Sequence, residues 1–139
     1  MSTVLVSNIK DAGGGGSIDV QGEGTVTTNL QQGLCKCWVN FDGSAANAAS
    51  RDTFNVSGMT DNGTGDYTIS INNDMNNSNY CAVVSGAETG SGGDTNQIGS
   101  LKRNGTFSAS AVQVVGTHTS SQNDVDNHRM MAAIHGDLS

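Results

Sequence analysis

The stretch that decides the fold class is residues 34–41, LCKCWVNF, in which the side chains alternate between two faces of a strand. One face carries Cys35, Cys37, Val39 and Phe41, and we assign it to the core. The opposite face carries Trp38, together with Lys36. A tryptophan on that side predicts an interface or a second packed layer rather than contact with water.

Further segments show the same period of two and are predicted to be short strands. We expect a β-hairpin over residues 51–72, with Phe54 and Val56 pointing inward. Its turn is placed at Asn62-Gly63, because Asn-Gly tolerates positive φ at both central turn positions. The predicted strands also include residues 17–20 and 128–135. Residues 80–85 are a further predicted strand, which we expect to be buried.

The composition indicates the same fold class. Glycine, serine, asparagine and threonine fill 63 of the 139 positions, and proline is absent. Disordered chains are instead rich in Pro, Glu, Lys and Gln. Because the apolar residues come in alternating bursts separated by turn formers, we predict an all-β protein. Its form is a compact antiparallel β-sandwich-like domain with short strands and long polar loops.

Two parts are predicted along the chain. Residues 1–33 hold a short N-terminal β segment, with Val4 and Val6 as apolar positions, and the glycine run 13–16. Four glycines in a row pack nothing, so this run is a turn or hinge. We expect this part to serve attachment or oligomerisation. Residues 34–139 form the β-sandwich-like head domain.

Charge and hydropathy argue against several classes of function. Six basic residues against 13 acidic ones give a net charge of −7, which disfavours contact with nucleic acid. No apolar run approaches the ~18 residues of a membrane span, and the first residues lack the pattern of a secretory signal. We therefore expect no nucleic-acid partner, no membrane insertion and assembly in a reducing compartment.

Residues able to do chemistry are few. Cys35 and Cys37 are too close for a zinc knuckle, so free thiols are favoured over a metal site or a disulfide between Cys35 and Cys81. No hydrolase or zinc-protease motif surrounds the three histidines. Glutamate occurs only at positions 23 and 88, so residues 61–66 lack the distal ligand of a calcium loop and no glycosidase pair stands out. We predict no catalytic residue, no metal and no cofactor.

Three segments of the sequence, taken in their order along the chain, form a recognisable pattern. They are residues 36–43, KCWVNFDG, residues 51–57, RDTFNVS, and residues 61–69, DNGTGDYTI. This pattern resembles tail-fibre-like and other virion surface proteins of tailed bacteriophages, many of them marine. Residues 1–9 and 133–137 are similar to the two ends of that module. Cys37 departs from it, since alanine is common there, and no proline precedes Tyr80.

The resemblance implies a non-enzymatic, usually trimeric component of a phage particle, exposed on the virion surface and assembled in the host cytoplasm. Its partners would be other virion proteins of the capsid or tail. We expect a fibre or knob of the head or tail that contacts the host surface; the alternative is a capsid decoration or cement protein. Exposed strand edges favour association of like copies. Candidate interface residues are Trp38, Lys36, Val4 and Val6.

Contact with a host-surface glycan is expected on the polar loops 86–97 and 117–127. Recognition residues are often found on loops that a rigid scaffold holds in place, and amide and carboxylate groups can hydrogen-bond sugars. The candidates are Asp94, Asn96, Gln97, Gln122, Asn123 and Asp124.

Overall fold

The computed structural model describes residues 18–21, 27–87 and 96–139. The predictions for Val4, Val6, the glycine run 13–16 and Asp94 fall outside these residues. By compactness the chain divides into residues 1–34 and 35–139, so the division lies one residue from the predicted one.

The first unit contains two short strands and one helical turn. Strand β1 (Asp19–Gln21) pairs antiparallel with β2 (Thr27–Asn29), and β2 runs into α1 (Leu30–Gly33). The side chain of Asn29 caps the turn, because its Oδ1 accepts a 3.0 Å hydrogen bond from the amide of Gln32.

The second unit consists of two four-stranded antiparallel sheets. Sheet one is formed by β3 (Cys35–Asp42), β4 (Ala49–Phe54), β7 (Cys81–Ala87) and β10 (Arg129–His135), in the order β4-β3-β10-β7. Sheet two is formed by β5 (Val56–Gly63), β6 (Asp66–Ile71), β8 (Gln97–Leu101) and β9 (Ala111–His118), in the order β5-β6-β9-β8. The sheets pack face to face, which confirms the predicted all-β sandwich.

The core lies between the two sheets. Cys37, Val39 and Phe41 of β3 are all buried, as their alternation predicts. Phe41 meets Tyr67 of sheet two edge to face, with ring centroids 5.0 Å apart. Such a pair adds to the area that both rings bury. Met130, Ala132 and Ile134 complete this part of the core from β10.

The predicted hairpin over residues 51–72 is wrong in its first half. The extended chain changes sheets at Asn55, whose φ of 58° separates β4 in sheet one from β5 in sheet two. The Asn55 side chain holds this corner by donating to the carbonyls of Lys36 and Asn73 at 2.9 and 3.1 Å. Phe54 consequently points outward and is 53% exposed, whereas Val56 packs against the core.

Two further local predictions need correction. The turn between β5 and β6 is centred on Thr64 and Gly65 rather than on Asn62-Gly63, because Asn62 lies in a register shift of β5. Strand β7 is not buried throughout: Cys81 and Val83 face outward, while Ala82 and Val84 face the core.

The strands of the sandwich run between two ends. At the end called the base, β3 begins, and the C-terminal residues 136–139 bond to the crossover 72–80. The opposite end, called the tip, holds the turns 43–48 and 64–65 and the loop 119–128. The tip loop and the first turn are joined by a 2.9 Å bond from the amide of Gly43 to the carbonyl of Asn127.

Candidate interaction surface

The outer face of sheet one, called here the Trp38 face, carries a row of apolar side chains. Register places Trp38 of β3 between Phe54 of β4 and Ala133 of β10, and Ala133 lies opposite Val83 of β7. Phe54 is 53% and Val83 59% exposed, and Met131 beside them is 37% exposed. The four strands therefore present their apolar outer side chains as one continuous stripe.

A groove opens in this stripe next to Trp38. Its volume is about 370 Å³, and its outward-facing lining includes Trp38, Val83, Met131 and Ala133. Ala133 forms its floor, because a methyl side chain between a tryptophan and a valine leaves space above it. Polar side chains enter only through Asn40 and Ser85.

The second described interface candidate, Lys36, lies differently from Trp38. The register between β3 and β10 shifts after Ile134. Ile134 lies opposite Cys37 and His135 lies opposite Cys35, so that Lys36 lies in a bulge. A bulge alters the local geometry of its strand, and Lys36 is only 8% exposed. Strict alternation, which put Lys36 on the same face as Trp38, could not show this.

Four charged side chains surround the stripe and balance one another. Arg51 forms a 2.7 Å ion pair with Asp42 and donates to the carbonyl of Phe41 at 2.9 Å. Asp52 and Arg129 are exposed on the outward positions of β4 and β10. Among the residues that the structure describes, two arginines and two aspartates give this face no net charge, although the whole chain carries −7.

The outer face of sheet two is mainly polar, although Ile98 of β8 is 47% exposed there. Lys102 lies 2.8 Å from Asp124 and 3.5 Å from Asp66, and the bond to Asp124 is the largest cause that raises the Lys102 pKa. Asp66 also accepts from Gln113 at 2.6 Å and from Asn62 at 3.2 Å. These ion pairs and hydrogen bonds join side chains of this face to one another, which distinguishes it from the Trp38 face.

The predicted glycan-contact residues that the structure describes gather at the tip. Asn96, Gln122 and Asn123 are exposed, Gln97 is half-buried, and Asp124 is held by Lys102. Backbone bonds join these segments: Thr119 donates to Asn96 at 2.6 Å, and Gln122 to His118 at 2.8 Å. The tip thus presents amide side chains from a loop with a fixed backbone.

A buried tyrosine anchors the tip loop. Tyr67 is fully buried, and its hydroxyl donates to Asp126 at 2.7 Å and contacts the carbonyl of Gly43 at 3.0 Å. Asp126 also accepts from the amide of Gly65 at 2.6 Å. Burial, followed by the bond to Asp126, raises the pKa of Tyr67 far above its usual range.

One cluster at the tip contains a serine, a histidine and an aspartate. Ser44 Oγ lies 2.7 Å from His128 Nδ1 and donates to Asp42 at 2.7 Å, while Asp42 is 3.6 Å from the same Nδ1. In a hydrolytic triad, serine and aspartate contact opposite ring nitrogens. Because both approach Nδ1 here, the arrangement differs from that of a triad, and its contacts link the first turn to the tip loop.

The three cysteines are free thiols in the structure. Cys35 is half-buried, Cys37 buried and Cys81 exposed. Burial, reinforced by Cys35, raises the pKa of Cys37 to about 11. Within the described residues, no three potential ligands converge as they would around a metal ion. Nor does any helix there have the length and hydropathy to cross a membrane.

Sequence reasoning found Trp38 but missed its neighbour Phe54. The signal that could have found it is Asn55, a residue that tolerates left-handed φ and so can end a strand abruptly. Comparison with known protein families, curated proteins and solved structures finds no match for this chain.

Proposed function

We propose that this chain is a non-enzymatic structural protein of a bacteriophage virion, displayed on the particle surface as a fibre or knob of the head or tail. The likeness of residues 36–43, 51–57 and 61–69 to surface proteins of tailed phages supports the assignment to a phage particle. In this role the chain is homo-oligomeric, and the same likeness implies three copies.

The observation that carries the display role is the separation between tip and base. The head begins at Cys35 in the base, where its C-terminal residues also lie. The exposed amides of Gln122 and Asn123 lie at the opposite end. A module anchored to capsid or tail proteins near the base would hold these groups away from the particle, toward a glycan of the host surface.

The tip also has the rigidity that a contact surface needs. Tyr67, Asp126 and Gly65 fix the loop to sheet two, and Gly43 fixes it to sheet one. A held loop loses less conformational entropy on binding than a free one. The polar, acidic surface suits exposure on a particle and disfavours a place next to the genome.

The test uses phage that carry variants of this chain. Asn123→Ala at the tip should lower adsorption to host cells, while Asn76→Ala, an exposed asparagine at the base, serves as the matched control. Equal adsorption by both variants would contradict glycan contact at the tip. If deletion of the chain ruptures heads while adsorption stays normal, the protein is a capsid decoration instead.

A further inference from the structure

We infer that copies of this chain associate through the Trp38 face, with Phe54 of one copy seated in the groove beside Trp38 of the next. The inference rests on the homo-oligomer included in the proposed function and assigns its interface. It concerns one occupant of this surface, a second copy of the chain.

Shape supports this contact because the face carries both a protrusion and a cavity. Phe54 projects from the edge strand β4 with half of its surface uncovered. The groove lies on the other side of Trp38, above Ala133 and between Trp38 and Val83. Because protrusion and groove occupy different places on one face, Phe54 of one copy can enter the groove of another.

Charge favours contact between two copies through the Trp38 face over contact through their other surfaces. Two molecules that each carry −7 repel one another wherever their acidic surfaces approach. The Trp38 face carries two arginines and two aspartates, so approach through it avoids that repulsion. Arg51 and Arg129 near the rim can also meet the exposed Asp52 of a neighbour.

Size and lining distinguish a protein partner from a small polar ligand. Strands about 4.8 Å apart with a rise of about 3.3 Å per residue give this face a planar footprint on the order of 450 Å². That is at the small end for a protein contact, so association should depend on concentration. A saccharide would find only Asn40 and Ser85 as polar partners in the groove.

The test is sedimentation equilibrium of the full chain over a range of concentrations, without phage. Phe54→Ala removes the protrusion, and Ala133→Leu fills the groove; each should raise the dissociation constant at least tenfold. Leu101→Ala, an apolar residue 40% exposed on β8, is the matched control and should leave it unchanged. Circular dichroism and thermal melting verify that every variant folds.

Two results would overturn the inference. One is a mass of 14.2 kDa at every concentration; the other is association of the two folded face variants with the parent's affinity. The virion role fails separately: if phage that lack this chain keep intact heads and adsorb normally, that role is contradicted, whatever the sedimentation of the chain shows.

Discussion

The hydroxyl of Tyr67 donates a 2.7 Å hydrogen bond to Asp126, a residue 59 positions further along the chain. Tyr67 lies on β6, and Asp126 lies in the loop that precedes β10. This bond ties the tip loop to the sandwich, and it brings together a buried phenol and a carboxylate that also accepts from Gly65.

Tyr67→Phe should therefore destabilise the fold. Removing the hydroxyl leaves the Asp126 carboxylate short of one donor, which costs about 1–3 kcal/mol in the free energy of unfolding. Urea denaturation measures this loss. Tyr80→Phe is the control, since the Tyr80 hydroxyl bonds only neutral carbonyls, those of Ser108 and Ala111. Equal losses of stability in both variants would contradict a larger contribution from the hydrogen bond to Asp126.

Gly43 permits the close approach of the first turn to the tip loop. A Cβ atom there would lie 2.5 Å from the Tyr67 hydroxyl and 2.8 Å from the Asn127 carbonyl. We expect Gly43→Ala to cost about 2–3 kcal/mol, as overpacking does elsewhere. Gly58→Ala is the matched control, because a Cβ there meets nothing within 4 Å. A thermal shift in which the two variants behave alike would contradict this packing.

Asp42 should make stability depend on acid pH. Its bond from Ser44, then the charges of Arg51 and His128, hold its pKa below the ordinary value. The unfolded chain therefore takes up this proton first, so the stabilisation is present above about pH 4 and is lost as the pH falls. Asp42→Asn should unfold more easily than the parent at pH 7, and the two curves should converge as the pH falls below the pKa of Asp42 in the folded protein. Curves that stay parallel would contradict this role.

The cysteines should differ in reactivity toward a thiol reagent. Cys81 is exposed, whereas Cys37 is buried with a pKa of about 11, two units above its ordinary 9.0. Thiolate is the reactive form and burial restricts access to it, so Cys37 should react more slowly than Cys81 in the native protein. Cys81→Ser should remove the fast phase. A fast phase that survives this substitution would contradict the observed exposures.

Alternation in the sequence predicted the strands that have one face in the core. Residues of β3, β6 and β10 alternate because water lies on one side of them and the opposite sheet on the other. It did not predict the change of sheet at Asn55, since a single left-handed residue interrupts the extended chain without altering its pattern.

The candidate surface was predictable only in part for the same reason. Trp38 stood out as an aromatic residue on the side away from the core. Phe54 did not, because its direction depends on which sheet β4 joins. The low exposure of Lys36 was not predictable either, because it accompanies a bulge that depends on the partner strand. Both the direction of Phe54 and the exposure of Lys36 depend on the pairing of strands that are distant in the sequence, and a single segment does not encode this pairing.

Trp38 fluorescence reports directly whether association covers the Trp38 face, since Trp38 is the only tryptophan in the chain. The full chain is diluted through the range in which its mass changes, and the emission maximum and acrylamide quenching are recorded. If copies cover the Trp38 face, emission shifts to the blue and quenching weakens as concentration rises, and Phe54→Ala moves this transition to higher concentration. Emission and quenching that stay constant while the mass changes would show that association leaves Trp38 uncovered and would contradict an interface on this face.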